Sequence, residues 1–269
     1  MLNPYETRDL LLRHRTCVIV PTYNHAGTVV DVLDRLHFYA ADIIVVNDGS
    51  TDQTHALVSD FIDRLGKLFT NTHIHLINHD RNEGKGSALV TGFNHALSLG
   101  FRYAVSIDAD GQHYPEDLPL FAEALEAQIQ RDSEDHTLFV GCRPEPKSNK
   151  GRWARMAMKL AQLCFTLQTW QHVPDLQSGY RLYPLYELRD LDFLTSHYEA
   201  ELELLILCSW HGVKLQSLPV RCYQPPKGKG ISHFDPRRHF RRVFALNVLI
   251  APITLFYGWP IQLVNRLFR

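Results

Sequence analysis

The first half of the chain alternates between short apolar runs and segments in which apolar residues recur at helical spacing. Three apolar runs have the length and composition of buried strands, 16–23, 42–46 and 103–107, and the alternating segment 73–77 is predicted as a further strand. Between them the apolar residues follow a helical period, in 28–39, 57–65 and 87–99. This repeated alternation predicts an α/β fold, with a mostly parallel sheet that carries helices on both faces.

The pattern changes after about residue 140. A strand end at 141–143, a helix at 156–167, an acidic helix near 197–210 and a short strand at 214–220 are predicted there. These strands are too few to form a second sheet. We therefore predict one domain over 1–240, in which 141–240 elaborates on a first half at 1–140.

An apolar tail follows at 241–269. Leu, Ile, Phe and Trp dominate it, and basic residues flank it at Arg241, Arg242 and Arg266. Pro252 and Pro260 are expected to divide the tail into short pieces. Basic flanks and aromatic residues are typical of a segment that lies on a membrane surface without crossing it. The alternatives are a helix packed on the domain and an interface in a homo-oligomer.

Composition narrows the class of protein and its location. A formal net charge of −1 argues against general nucleic-acid binding, because no basic field is present to displace counterions. The five cysteines are scattered without a Cys-x-x-Cys pair, which favours a reducing compartment. We read no signal peptide and no run of roughly 18 unbroken apolar residues. The expected location is cytoplasmic, on the inner face of the cell membrane.

Two carboxylates mark the end of the fourth predicted strand. Asp108 and Asp110 alternate along the extended chain and so point to the same side, just before the turn at Gly111. Open α/β sheets bind ligands at this edge of the sheet. With the amide oxygen of Gln112 or the imidazole of His113 nearby, the pair suits a divalent cation that bridges to phosphates.

Two other predicted strands also end in polar residues. The first runs into Pro21, Thr22, Tyr23 and Asn24, and the second into 47–52, where Asp48 offers an acceptor to a nucleobase. Gly49 allows a ligand to approach the backbone closely. Lys85 lies between two glycines and is placed to contact phosphate. Because parallel strands end at one edge, these residues are expected to converge on Asp108 and Asp110.

Together these segments resemble the nucleotide-sugar domain of family 2 glycosyltransferases, which has the GT-A fold. The resemblance rests on 20–24 (Val-Pro-Thr-Tyr-Asn), 46–52 (Val-Asn-Asp-Gly-Ser-Thr-Asp) and 108–113 (Asp-Ala-Asp-Gly-Gln-His). The Gln-His extension and 82–86 (Asn-Glu-Gly-Lys-Gly) resemble the polyprenyl-phosphate mannosyl- and glucosyltransferase branch.

That resemblance implies roles for the first half. Pro21, Tyr23 and Asp48 would line the nucleoside pocket, and Asp108 would lie near the ribose or the sugar. Asp110 and Gln112 would hold Mg²⁺ or Mn²⁺ on the diphosphate of a UDP- or GDP-sugar.

The second half is expected to supply the acceptor side. The segment 175–183 resembles the family's Ser-Gly-Phe-Arg motif, in which Ser178 and Gly179 border the substrates and Arg181 offers a fork to phosphate. Arg143 occupies the family's Gly-x-Arg position. Ser232 and His233 belong to a Gly-Ile-Ser-His-Phe loop that resembles bacterial relatives and would close over the diphosphate.

Three glutamates alternate at the start of the acidic helix. A hydroxyl acceptor needs a carboxylate as general base, for which Glu199 and Glu201 are the candidates, whereas Glu203 is expected to be structural. The polyprenyl-phosphate branch needs no base, because its acceptor is already an anion.

The function that follows is inverting, metal-dependent transfer of a hexose from a UDP- or GDP-sugar to a lipid-linked or other membrane-associated acceptor. A nucleotidyltransferase is the alternative enzyme, although such enzymes usually carry a Gly-rich Lys loop near the first strand, which 20–24 does not supply. An inactive sugar-nucleotide-binding scaffold is the alternative without catalysis.

Overall fold

A computed structural model describes residues 2–68, 71–131, 137–143, 152–189, 191, 194–223 and 236–267, with the backbone alone at 152–155, 157 and 236–241. Its centre is a seven-stranded sheet in the order β3-β2-β1-β4-β6-β5-β7. The strands are β1 (Thr16–Thr22), β2 (Asp42–Asn47), β3 (His73–Asn78), β4 (Tyr103–Ser106), β5 (Thr137–Cys142), β6 (Arg181–Pro184) and β7 (Lys214–Pro219).

Helices cover both faces of this sheet. They are α1 (Pro4–Arg13), α2 (Val29–Leu36), α3 (Thr54–Leu68), α4 (Lys85–Ser98), α5 (Leu118–Arg131), α6 (Arg152–Thr169), α7 (Leu185–Leu188), α8 (Ala200–Trp210), α9 (Pro236–Ile253) and α10 (Trp259–Leu267). A short 3₁₀ helix, Pro115–Asp117, precedes α5. The predicted α/β architecture is confirmed, and the predicted strands of the first half shift at their ends by one residue at most.

Alternation along β1 shows why the sheet needs cover on two sides. Val18 and Val20 join the core formed with α2, α3 and α5, whereas Cys17 and Ile19 join the opposite core, which includes α4 and α8. Both sets of side chains are fully buried, as expected for a central parallel strand.

The three strands of the second half join the same sheet. Strand β6 pairs antiparallel with β4 and with β5, and β7 pairs parallel with β5. The sequence does not predict β6 as a central strand, because its four residues show too little of a strand period and follow a Gly turn. This reversed strand carries Arg181 opposite Ser106, directly beside the carboxyl end of β4.

The expected division of the tail at its two prolines is wrong. Residues 242–267 are helical throughout, with a π-helical turn at Thr254–Gly258 between α9 and α10. A proline removes one backbone donor, and the wider turn that begins just after Pro252 accommodates that loss. Pro260 is the second residue of α10 and lies two residues after the π-helical turn ends at Gly258.

This helical stretch is long and apolar enough to cross a membrane, judged by length and composition alone. Only 22% of its most apolar window is buried against the rest of the protein. The buried side follows Leu246, Ile250, Thr254 and Gly258, and Gly258 lies directly on the ring of Trp210. The helix therefore packs on α8 along one side and leaves an apolar side uncovered.

The Gly258 contact gives a test of this packing. We expect Gly258→Ala to lower the free energy of unfolding by about 1–3 kcal/mol, because the new methyl group would overlap the Trp210 ring. Gly66→Ala, in α3 and facing open space, is the matched control and should stabilise by about 1 kcal/mol. Urea unfolding measures both, and equal stabilisation by the two variants would contradict the packing of the tail on Trp210.

Candidate active site

A cavity of about 500 Å³ opens at the carboxyl ends of β1, β2 and β4. The residues before α4 and α8 close two of its sides, and α9 adds one arginine. Its lining contains Pro21, Thr22, Tyr23, His25, Asp48, Asn82, Gly84, Lys85, Ala88, Asp108, Ala109, Asp110, His197, Tyr198, Glu199 and Arg242. The expected convergence of three strand ends at one edge is therefore observed.

Both carboxylate oxygens of Asp48 accept hydrogen bonds from other residues of the protein. Oδ1 accepts hydrogen bonds from the backbone N–H of Glu83 at 2.9 Å and from Nδ1 of His79 at 2.8 Å, and Oδ2 accepts from Gly84 N–H at 2.8 Å. The other ring nitrogen of His79 lies 2.9 Å from the Thr91 hydroxyl. Asp48 thus fixes the loop that leads into α4, while its buried carboxylate still borders the cavity.

Gly49 and Asn24 shape the loops around this wall. Gly49 has a φ of +65°, and a side chain there would overlap the backbone of Arg81, so its close approach is to the protein's own chain. Asn24 has a φ of +54°, and its side-chain oxygen accepts from the backbone N–H of Thr51 at 2.8 Å. Neither residue lines the cavity as the described residues define it.

Lys85 connects two carboxylates at the base of the cavity. Its Nζ lies 2.6 Å from Oδ1 of Asp108 and 3.1 Å from Oε1 of Glu201. Burial opposes charge on this lysine, yet the two carboxylates raise its pKa above the usual value. Burial likewise works against the charge of Asp108, but Lys85 outweighs it and holds the pKa of Asp108 below its usual range. Lys85 and Asp108 are therefore both charged at neutral pH.

Gly179 makes room for this cluster. A Cβ there would lie 2.5 Å from both Lys85 Nζ and Asp108 Oδ2. The expected close backbone approach at Gly179 is real, but the group that approaches is the ion pair itself. Ser178, fully buried, accepts a hydrogen bond from the N–H of Tyr180 and lies behind the cavity wall.

The side chain of Asp110 lines the cavity, and its carboxyl group releases its proton just below neutral pH. Burial and the neighbouring Asp108 raise the pKa of Asp110 to about 6. Gln112 donates its backbone N–H to Oδ1 at 3.0 Å and its side-chain N–H to Oδ2 at 2.8 Å.

The chemistry of these donors fits a hard divalent cation that keeps several waters and binds phosphate oxygens. Within the described part of the chain, no three His, Cys, Asp or Glu side chains form a metal cluster, so most ligands would come from substrate and water. A crowded, buried carboxylate next to a second one favours a cation there. For Gln112 to act as a ligand, its amide would turn its oxygen toward the ion.

Arg181 does not present its guanidinium to the cavity. The side chain is fully buried and donates to the carbonyl oxygens of Ser178 at 2.7 Å, Glu201 at 2.7 Å and Leu176 at 3.0 Å. The guanidinium donates these hydrogen bonds to the segment before β6 and to the start of α8, and so it joins the two. The expectation that it grips a phosphate has no support in this geometry.

Arg143 is paired in a similar way with Asp175. Its Nε lies 2.6 Å from Oδ2, and its terminal nitrogen lies 2.9 Å from Oδ1 of that carboxylate. This bidentate pair ties the end of β5 to the segment before β6.

The three glutamates at the start of α8 have different partners. Glu199 immediately precedes the helix, and Glu201 and Glu203 lie in its first turn. Glu203 points away and accepts hydrogen bonds from the backbone of Leu194 and Thr195, which agrees with its predicted structural role. Glu201 faces Lys85. Glu199 borders the cavity, where its Oε2 lies 3.8 Å from Arg242. Ser232 and His233 lie outside the described residues.

Several lining residues were not among the predicted site residues. His25, Asn82, His197 and Tyr198 lie within three positions of predicted ones in sequence, and that proximity is the signal that would have found them. Arg242 carries no such signal, because only the packing of α9 brings it to the cavity.

An α/β sheet whose parallel strands end at a polar cavity is the architecture of ligand-binding α/β enzymes. The family model described as glycosyl transferase family 2 matches residues 17–187. The chain therefore belongs to glycosyl transferase family 2 and is a glycosyltransferase. The resemblance of the motifs is confirmed.

Two curated relatives are similar over most of the chain. Polyprenol monophosphomannose synthase of Mycolicibacterium smegmatis is 30% identical over 66% of this chain, and the match spans 64% of that protein. Undecaprenyl-phosphate mannosyltransferase of Micrococcus luteus is 28% identical over 77% of this chain and 82% of its own length.

A solved structure supports the fold. It is glucosyl-3-phosphoglycerate synthase from Mycobacterium tuberculosis in complex with Mn²⁺, UDP and phosphoglyceric acid. The superposition has a TM-score of 0.63 at 20% identity and covers 93% of this chain and 82% of that chain.

The Lys85 cluster gives the prediction for the site. Lys85→Met leaves two buried carboxylates without their cation, so we expect the free energy of unfolding at pH 7 to fall by about 3–5 kcal/mol. The loss should shrink toward pH 4, because the carboxylates of the variant then take up protons.

Adding Glu201→Gln to Lys85→Met should restore part of the stability, since one of the two charges is removed. Lys67→Met on the exposed end of α3 is the control. Denaturant unfolding at several pH values measures each variant. A loss at pH 7 no larger than that of Lys67→Met would contradict the role of Lys85.

Proposed function

We propose that this glycosyltransferase moves a hexose from a UDP- or GDP-sugar to a polyprenyl phosphate, with inversion at the anomeric carbon and with Mg²⁺ or Mn²⁺ as cofactor. The observation that carries the proposal is the juxtaposition of Asp108, Lys85 and Asp110 at the carboxyl edge of the sheet in a member of this family. A cavity of about 500 Å³ is of the size that a nucleotide-sugar requires.

The donor is proposed to lie along the strand ends. Pro21, Thr22 and Tyr23 would contact the nucleoside, next to the wall that Asp48 organises. Asp108, kept ionised by Lys85, would face the ribose or the sugar. Glucosyl-3-phosphoglycerate synthase, which has the same fold, is in complex with Mn²⁺ and UDP in its solved structure, and this supports a metal and a diphosphate here.

Asp110 and Gln112 would hold the cation on the diphosphate. When bound, the metal would stabilise the negative charge that develops on the departing nucleoside diphosphate. The protein's own part is to position the Asp110 carboxylate. The backbone N–H of Gln112 donates to its Oδ1 and partly counteracts the burial and the Asp108 charge that raise its pKa.

The acceptor determines whether a general base is needed. An oxygen of a phosphate acceptor already carries negative charge and attacks the anomeric carbon directly, while the bond to the diphosphate breaks on the opposite face. A single displacement of this kind inverts the configuration. Because such an acceptor carries no proton that must be removed, neither glutamate is needed as a general base. Glu201 pairs with Lys85, and Glu199 faces Arg242.

The proposed class of acceptor is supported by the names of the relatives and by the apolar surface of this protein. Both curated relatives have names that contain a polyprenol phosphate. Here α6 exposes a helical stripe formed by Met156, Leu160, Leu163 and Leu167. The stretch 242–267 exposes Val248, Leu249, Phe256 and Leu263. Such apolar area suits contact with a lipid surface, and we propose attachment to the cytoplasmic face of the membrane.

Metal-dependent nucleotide binding is the direct test. UDP or GDP together with Mn²⁺ should raise the melting temperature of the wild-type protein more than the nucleotide alone, because bound ligand stabilises the folded state. Asp110→Asn should abolish the metal-dependent part and hexose transfer while leaving stability without ligand near that of the wild type.

Asp31→Asn, on the exposed face of α2, is the control and should behave as the wild type. A donor screen with polyprenyl phosphate then identifies the sugar. No metal-dependent shift with either nucleotide would overturn the proposed function.

Membrane attachment has a separate test. Phe256 is 85% exposed on the tail helix, so Phe256→Asp should weaken binding to anionic phospholipid vesicles, measured by flotation, by about thirtyfold, since a buried phenyl ring contributes about 2 kcal/mol. Leu68→Asp, at a residue 74% exposed at the end of α3, is the matched control. Equal flotation of both variants and the wild type would contradict attachment through the tail.

A further inference from the structure

The cavity receives one cation from an element outside the strand ends. Arg242 lies in α9, at the start of the apolar stretch 242–267, and lines the cavity. The described lining residues include one lysine, Lys85, and one arginine, Arg242. Lys85 is already bonded to Asp108 and Glu201, so its charge is matched within the protein.

Arg242 is held more loosely. Its guanidinium lies 3.8 Å from Oε2 of Glu199, which is longer than a hydrogen bond. The Glu199 side chain is only 10% exposed, and this oxygen has no hydrogen-bond partner among the described residues. A buried carboxylate oxygen and a guanidinium therefore face each other with unused hydrogen-bonding capacity.

A phosphate in this cavity needs positive charge beside it, because the acidic side chains among the described lining residues outnumber Lys85 and Arg242. Asp108, Asp110 and Glu199 bring negative charge to the lining, and a substrate phosphate would add more. A cation on Asp110 compensates one side of such a ligand. The guanidinium of Arg242, with paired donors that match two phosphate oxygens, would compensate the other side.

We infer that Arg242 is a phosphate-binding residue of the cavity and that Glu199 holds it in place until a phosphate arrives. The inference deepens the proposed function and rests on it for the identity of the ligand, which is either the diphosphate of the donor or the phosphate of the acceptor. Because Leu246 and Ile250 anchor α9 in the core, the packing of the tail helix sets the position of Arg242.

The first measurement is independent of transferase activity. Calorimetric titration with inorganic pyrophosphate, without metal, should show binding to the wild-type protein that weakens at least tenfold in Arg242→Gln and recovers partly in Arg242→Lys. Arg266→Gln is the matched control, because this arginine lies on the same helix but stacks on Trp170. Equal pyrophosphate affinity in Arg242→Gln and Arg266→Gln overturns the inference.

Two further arms separate the sources of the phosphate. One is the affinity for UDP or GDP with Mn²⁺, and the other is the KM for polyprenyl phosphate at saturating donor. A tenfold loss confined to the first assigns Arg242 to the donor, and one confined to the second assigns it to the acceptor. Wild-type protein that binds pyrophosphate through Arg242 but transfers no hexose would contradict only the proposed function.

Glu199→Gln tests the holding role. Removing its charge frees Arg242, so pyrophosphate should bind several-fold more tightly, and this gain should vanish in the double variant with Arg242→Gln. A gain that persists without Arg242, or unchanged affinity with a large fall in kcat, would overturn the role given to Glu199 and assign it to chemistry instead.

Discussion

The buried ammonium of Lys85 is the interaction on which the rest of the site depends. Asp108, just after β4, and Glu201, in α8, both pair with this ammonium group. Lys85 itself is the first residue of α4. Burying three charges is costly, and only their mutual attraction and hydrogen bonds offset that cost. The arrangement therefore tolerates little displacement of any of the three elements. Gly179 is required for the same reason, because any side chain there would occupy the space of the ion pair.

Many polar residues that look like ligands in the sequence are used to build the cavity. Asp48 holds the loop before α4, Asn24 holds the loop after β2, and Arg181 joins the segment before β6 to α8. These side chains form hydrogen bonds with backbone groups, which makes the walls of the cavity rigid. Among the lining residues that the structure describes, Asp110, Glu199 and Arg242 are charged groups that face the cavity. Such a division suits an enzyme that must orient a flexible diphosphate, because rigid walls spare the cost of ordering the site on binding.

The first half of the fold was predictable because its signals are local. Each buried strand is a continuous apolar run, and each helix shows its own period, so strand ends and their polar residues follow directly. The second half was less predictable. Strand β6 is only four residues long and antiparallel, and the helical continuity of the tail depends on a π-helical turn between two prolines. Neither feature leaves a periodic pattern in the sequence, since both are stabilised by neighbours distant along the chain.

The sequence by itself determined the α/β class, the edge of the sheet that carries the chemistry, and the family to which the motifs at 20–24, 46–52 and 108–113 belong. These follow from residue type and spacing, which act over a few positions. Only the tertiary structure decided which charges are matched inside the protein and which face the cavity. Arg181 and Arg242 are both arginines near suggestive segments, yet one is enclosed by three carbonyl oxygens and the other borders the cavity. Burial and partners, which depend on the whole packed chain, make that difference.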